Sequence, residues 1–118
     1  MKTILLVDDE ANMRFLLRMI LESAGYEVRE AVNGAAALAR VEEGRPDLVV
    51  TDLMMPVMSG RELVERLREN AQTAEIPIIL VSASLEAVLK EADAIFEKPV
   101  NEDALLAAVH ALTEHEAA

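Results

Sequence analysis

Three aspartates hold the chemistry of this chain: Asp8 and Asp9, after the apolar run Ile4-Leu5-Leu6-Val7, and Asp52, after Leu48-Val49-Val50-Thr51. Each run reads as a buried parallel strand, so all three carboxylates fall at strand C-terminal ends. In an open α/β sheet those ends line the crevice where ligands bind. Carboxylates crowded there repel one another unless a cation or a proton intervenes. A hard divalent cation answers that need, and Mg2+ typically sits on one or two carboxylates beside a phosphate. The pattern predicts an acidic metal site with one aspartate free to act on phosphate.

Two more polar side chains arrive at the same sheet edge. Ser82 follows Ile78-Ile79-Leu80-Val81, and Lys98 follows Ala94-Ile95-Phe96-Glu97. A cation site, a carboxylate nucleophile, a hydroxyl donor and one ammonium together form the set that aspartyl phosphorylation requires. Phosphoryl transfer spreads charge over the phosphoryl oxygens, and its catalysis is mostly positioning and neutralisation. Mg2+ would neutralise one side and Lys98 the other, with Ser82 donating to a phosphoryl oxygen. Singly, each residue has a plainer reading. Asp9 or Glu10 could cap the first helix, Lys98 could be a solvated loop lysine, and Ser82 alone says little. Their coincidence with Asp52 favours function.

The elements that must position these residues alternate from end to end as βα units. Strand 1 is expected from Thr3 to Val7. A helix follows from about Asn12 to Ala24, with Met13, Leu16, Leu17, Ile20 and Ala24 inward, Arg14, Arg18 and Glu22 outward, and Gly25 as the stop. Strand 2, Glu27 to Val32, alternates more than the others and reads as an edge. Asn33-Gly34 opens a second helix ending near Gly44, and strand 3 runs from Asp47 to Thr51. Ser59 and Glu62 have capping-box spacing at the start of a third helix. Strand 4 is expected from Pro77 to Val81, a short fourth helix from about Leu85 to Glu91, and strand 5 from Ala94 to Glu97. Asn101 caps a last helix that runs to about Thr113. Right-handed crossovers then give a three-layer αβα sandwich around a parallel sheet of order 2-1-3-4-5, which sets strands 1 and 3 side by side.

Composition narrows the class. The chain of 118 residues is 53% hydrophobic, enough for one packed domain over residues 1–118, and no linker or repeat interrupts it. A net charge of −11 disfavours direct binding to nucleic acid or to an anionic membrane surface. Without cysteine there are no disulfides, thiolate zinc sites or cysteine nucleophiles. No apolar stretch approaches the roughly 20 residues that span a bilayer, and the apolar run before Asp8 is too short for a signal peptide. A cytoplasmic protein without membrane insertion is expected. His110 and His115 are poorly spaced for a shared metal and read as surface residues. Met54, Met55 and Met58 read as loop packing.

The chain resembles a response-regulator receiver domain, the phosphoacceptor half of two-component signalling, of the chemotaxis-regulator type. The resemblance rests on Asp8-Asp9-Glu10, on Thr51-Asp52-Leu53-Met54-Met55-Pro56 with Gly60 eight residues past the aspartate, on Ser82-Ala83, and on Lys98-Pro99. It implies a flavodoxin-like fold with Asp52 as phosphoacceptor. It further implies that Asp9, Asp52 and the Met54 backbone carbonyl bind Mg2+ directly, and that Asp8 reaches it through water. Ser82 and Lys98 would contact the phosphoryl group, and the Lys98-Pro99 bond would be cis. The implied partners are a histidine kinase or histidine phosphotransfer protein upstream and an unidentified protein target downstream.

Two departures from the family pattern affect the output. Receivers usually carry an aromatic residue three before the lysine, where this chain has Ile95, and Phe96 should point to the opposite face. The stretch from Ser82 to Lys98 is also about six residues shorter than in the family, which shortens the fourth helix. The expectation is a stand-alone phosphorylatable module that assists its own phosphorylation and dephosphorylation but is not an enzyme. Alternatives are a receiver that binds partners without phosphorylation and a receiver from a larger regulator or hybrid kinase. A homodimer through the fourth helix, strand 5 and last helix is also compatible with the sequence. A haloacid-dehalogenase-like phosphatase fits less well, because the position two past the nucleophile holds Met54 rather than an acid.

Overall fold

The computed structural model describes residues 1–83 and 91–114. Five strands alternate with helices: β1 (Thr3–Val7), α1 (Ala11–Ser23), β2 (Glu27–Ala31), α2 (Gly34–Glu43), β3 (Leu48–Asp52), α3 (Gly60–Glu69), β4 (Ile78–Ser82), β5 (Ala94–Glu97) and α4 (Glu102–Thr113). All pairings are parallel, and the sheet order is β2-β1-β3-β4-β5. The short helix expected between Leu85 and Glu91 falls, apart from Glu91, outside the described residues, as do Ser84 and His115. No helix among the described residues is long and apolar enough to cross a membrane.

The continuous apolar runs become the three central strands because helices cover both faces of the sheet. Alternate residues split the core in two. Leu5, Val7, Val49, Ile78 and Leu80 face α2 and α3, against Val41, Leu63, Val64 and Leu67. Ile4, Leu6, Leu48, Val50, Ile79 and Val81 face α1 and α4, against Leu17, Leu21, Leu105 and Val109. Ile95 packs into the first cluster and Phe96 into the second, so the two point to opposite faces as expected.

Helix starts follow the sequence closely. Asn33, Ser59 and Asn101 accept hydrogen bonds from the N–H groups of Ala36, Glu62 and Ala104, each satisfying a donor the helix leaves free. α1 differs: Glu10 stands at its N-cap position and makes no side-chain cap. Gly25 ends α1 in the left-handed region at φ +98, a conformation that favours glycine.

The buried face of α1 is rotated from the expected one. Leu17 and Leu21 are buried, with Met13 and Ile20 packed beside them, whereas Leu16 is 51% exposed and Ala24 also faces solvent. Phe15 and Met19 share the exposed side with Leu16. At the other end of the sheet, Arg68 of α3 ties three segments together. Its Nη1 donates to the carbonyls of Ala74 and Ile76, and its Nη2 donates to the Glu91 carbonyl and the Asp93 carboxylate.

Candidate functional site

β3 and β4 each run one residue further than expected, so Asp52 and Ser82 end their strands instead of following them. Val7 pairs with Thr51, which brings Asp8 beside Asp52, and Ser82 pairs with Glu97, which brings Lys98 to the same edge. The Lys98 N–H donates to the Ser82 carbonyl at 2.8 Å and fixes where the lysine leaves β5. The following Lys98-Pro99 bond is cis, as the resemblance implied. All five residues singled out in the sequence therefore meet at one edge of the sheet.

One carboxylate oxygen from each of Asp8, Asp9 and Asp52 lies within 4.8 Å of the others. Asp8 is 1% exposed and Asp52 8%, while Asp9 is open to solvent. Lys98 Nζ stands 3.3 Å from Asp8 Oδ2 and 3.6 Å from Asp52 Oδ2, and so bridges the two buried acids. Asp52 Oδ1 accepts from the Leu53 N–H at 2.8 Å. Burial pushes the Asp52 carboxyl above its ordinary range, and the charge of Asp8 adds to this. Lys98 and the backbone amides of Leu53 and Met54 pull the other way without cancelling it. Asp9 does not cap α1, which removes the plainer reading of that residue.

The donor set fits Mg2+. It is all oxygen, it is anionic, and its acids converge from two adjacent strand ends. Around an octahedral Mg2+ neighbouring ligand oxygens stand about 3 Å apart and only an opposite pair about 4.2 Å, so binding the ion would draw the carboxylates closer together.

The loop after Asp52 is held from both sides. Gly60 N–H donates to the Leu53 carbonyl at 2.9 Å, and Gly34 N–H at the start of α2 donates to the Met58 carbonyl at 3.0 Å. Between them Val57 takes φ +68, and the Met58 N–H reaches back to the Pro56 carbonyl at 2.8 Å, a γ-turn that is strained for a β-branched residue. Met55 and Met58 pack on the core, but the Met54 side chain is 74% exposed beside the site. His110 is exposed on α4, as expected of a surface residue.

Sequence reasoning missed one participant. Arg14, assigned to the wet face of α1, has a side chain only 17% exposed and donates from Nη1 to the Asp8 carbonyl at 2.8 Å. Its Nε donates to Glu30 Oε1 at 3.0 Å, and Arg18 pairs with the other oxygen of Glu30. Burial pushes Glu30 up, but the hydrogen bonds from Arg18 and Arg14 hold it below the usual carboxylate range.

The bridge gives Lys98→Met a two-sided outcome. Without divalent cation, the variant should lose about 3 kcal/mol of stability, because breaking a buried pair strands the remaining charges. Saturating Mg2+ should restore most of that loss, since the cation replaces the missing positive charge. Urea titrations with and without Mg2+ measure both effects, and equal losses in the two buffers would contradict the shared-charge account.

The response regulator receiver domain profile matches residues 4–110. The chain is similar to the phosphate regulon transcriptional regulatory protein PhoB of Pseudomonas aeruginosa, with 47% identity over 85 residues that cover 72% of this chain and 37% of PhoB. It is similar also to protein PilH of the same organism, at 32% identity over 95% of this chain and 98% of PilH. Among solved structures, response regulator TrrA of Thermotoga maritima, in complex with Mg2+-BeF, superposes with a TM-score of 0.88. The two share 38% identity, covering 95% of this chain and 99% of TrrA. The chain spans about half or less of several other curated relatives it matches. With five parallel strands in the order found here and an acid trio at their C-terminal edge, the chain belongs to the response regulator receiver domains of two-component systems.

Proposed function

We propose that Asp52 accepts a phosphoryl group from a histidine kinase or histidine phosphotransfer protein, and that the phosphorylated chain signals by contact with a downstream protein. The observation that carries this reading is the buried Asp8–Lys98–Asp52 bridge with Asp9 open beside it. Receiver domains bind Mg2+ through acidic residues and interact with histidine kinases or phosphotransfer proteins.

In the proposed reaction an Asp52 carboxylate oxygen attacks the phosphorus of a phosphohistidine. The P–N bond breaks, its electron pair returns to the imidazole, and Asp52 becomes a mixed anhydride. Asp9, Asp52 and the Met54 carbonyl would hold Mg2+ directly, and Asp8 through water; bound there, the ion supplies neutralising charge for the phosphoryl oxygens. Lys98 exchanges its contact with Asp52 for one phosphoryl oxygen, and the Ser82 hydroxyl donates to another. Hydrolysis of the anhydride at the same site resets Asp52. The acting unit is the receiver alone, which the near end-to-end match to PilH supports. The net charge of −11 favours protein over nucleic-acid partners, and the proposed site of action is the cytoplasm.

Incubation with acetyl phosphate and Mg2+, followed by intact-mass measurement, tests the reading. One added phosphoryl group is expected, mapping to the peptide that contains Asp52 and absent in excess chelator. Absence of both a phosphoryl and a beryllofluoride adduct, with Mg2+ binding confirmed, would instead establish a phosphorylation-independent adaptor.

A further inference from the structure

Asp9 is the exposed member of the acid trio, so the backbone of the turn between β1 and α1 sets where its carboxylate can reach. That turn is held from two directions. On the β2 side, the Asp8 N–H donates to the Ala31 carbonyl at 3.1 Å, while Asp8 Oδ1 accepts from the Glu10 N–H at 2.9 Å. On the α1 side, Arg14 Nη1 donates to the Asp8 carbonyl at 2.8 Å, with its Nε 3.0 Å from Glu30 Oε1 on β2. The other oxygen of Glu30 pairs with the more exposed Arg18.

We propose that Arg14 is a positioning residue for the metal site, fixing the Asp8–Asp9 turn through the Asp8 carbonyl while Glu30 holds the guanidinium in place. This rests on the assignment of Mg2+ to Asp8, Asp9 and Asp52 made above. Two physical effects of removing Arg14 have opposite signs. As a cation beside three carboxylates, Arg14 opposes a divalent ion, so charge alone makes its removal tighten Mg2+. As a support for the ligand turn, its removal loosens Asp9 and weakens Mg2+, and partners behind metal ligands are typically worth 10–100-fold in affinity. The two hydrogen bonds and the low exposure of the side chain make the second effect the larger.

Arg18 supplies the control. It sits one turn further along α1, its hydrogen bonds go to Glu22 and Glu30, and it leaves the Asp8 carbonyl to Arg14. Mg2+ titration calorimetry is to be run on the parent chain, Arg14→Met, Arg14→Lys and Arg18→Met, with a denaturant curve for each and amide exchange at Glu10 without metal. Both Arg14 variants should bind Mg2+ at least about 10-fold more weakly. Arg18→Met should stay within about two-fold, as expected for a partly exposed ion pair. The Glu10 amide should exchange faster in the Arg14 variants than in Arg18→Met. Arg14→Lys keeps the charge and covers the case in which Arg14→Met folds poorly. Affinity unchanged or tightened in the Arg14 variants, or weakened equally in Arg18→Met, overturns the proposal. A parent chain that takes up no Mg2+ overturns the metal assignment and this proposal together, and differs visibly from a failure confined to the variants.

Discussion

Asp52→Asn is expected to take up no phosphoryl group and, in Mg2+-free buffer, to resist denaturant better than the parent chain. The Asp52 carboxyl is raised above its ordinary range chiefly by burial, helped by Asp8, with Lys98 at 3.6 Å failing to offset this. A group whose pKa is higher folded than unfolded contributes stability that is complete below the unfolded value and lost as pH rises through the folded one. Above its folded value, where Asp52 is ionised, that contribution is gone, whereas asparagine carries no charge to bury. Its side-chain oxygen can still accept from the Leu53 N–H, as Asp52 Oδ1 does at 2.8 Å. The expected gain is on the order of 1 kcal/mol, or about 4 °C in Tm for a domain of this size. It should shrink as pH falls toward the ordinary carboxylate range. Mg2+ should reverse the order, because binding stabilises the parent by mass action more than a variant short of one ligand. A variant less stable than the parent without Mg2+ would mean that the Lys98 contact, not burial, dominates Asp52.

Gly60→Ala should cause a large loss of stability. An added Cβ would stand 2.1 Å from the Asp52 carbonyl oxygen and 2.8 Å from Leu53 Cα. Both atoms are backbone, so no rotamer change relieves the clash, and the joint between β3 and α3 must open. That movement shifts Leu53, whose N–H bonds the Asp52 carboxylate and whose carbonyl receives the Gly60 N–H. A loss of about 3 kcal/mol is expected, the upper part of the range for overpacking. Phosphoryl uptake should slow even under conditions where the variant is fully folded. Gly25 makes the contrast: nothing lies within 4 Å of a Cβ there, so only its left-handed backbone opposes substitution. A Gly60→Ala midpoint change within about 0.5 kcal/mol, the range of ordinary surface substitutions, would remove the close approach as the cause.

The parts legible in the sequence were those with strong one-dimensional signals. Ile4 to Val7, Leu48 to Val50 and Ile78 to Val81 are apolar without interruption because both sheet faces are covered, and the residue after each run had to sit at the ligand-binding edge. Asn33, Ser59 and Asn101 marked helix starts because their short polar side chains reach free N–H groups. The rotation of α1 was not legible. Met13, Phe15, Leu16, Leu17, Met19, Ile20 and Leu21 leave little contrast between faces, so periodicity alone cannot choose one. Pairing of Arg14 and Arg18 with Glu30 on β2 accompanies the face that buries Leu17 and Leu21. The role of Arg14 was hidden for a related reason: it binds a backbone carbonyl, and no residue type advertises that.

Asp8 and Lys98 lie 3.3 Å apart in space and 90 residues apart along the chain. Closing that distance requires the β1–β3, β3–β4 and β4–β5 pairings together, and such long-range pairing is the slow, entropically disfavoured part of folding. β5 is also the least buried of the five strands, and weakly buried elements are where native proteins open most readily. Transient detachment of this one edge withdraws the ammonium from the acids while the other four strands stay folded, which makes the site a reporter of whether β5 is docked.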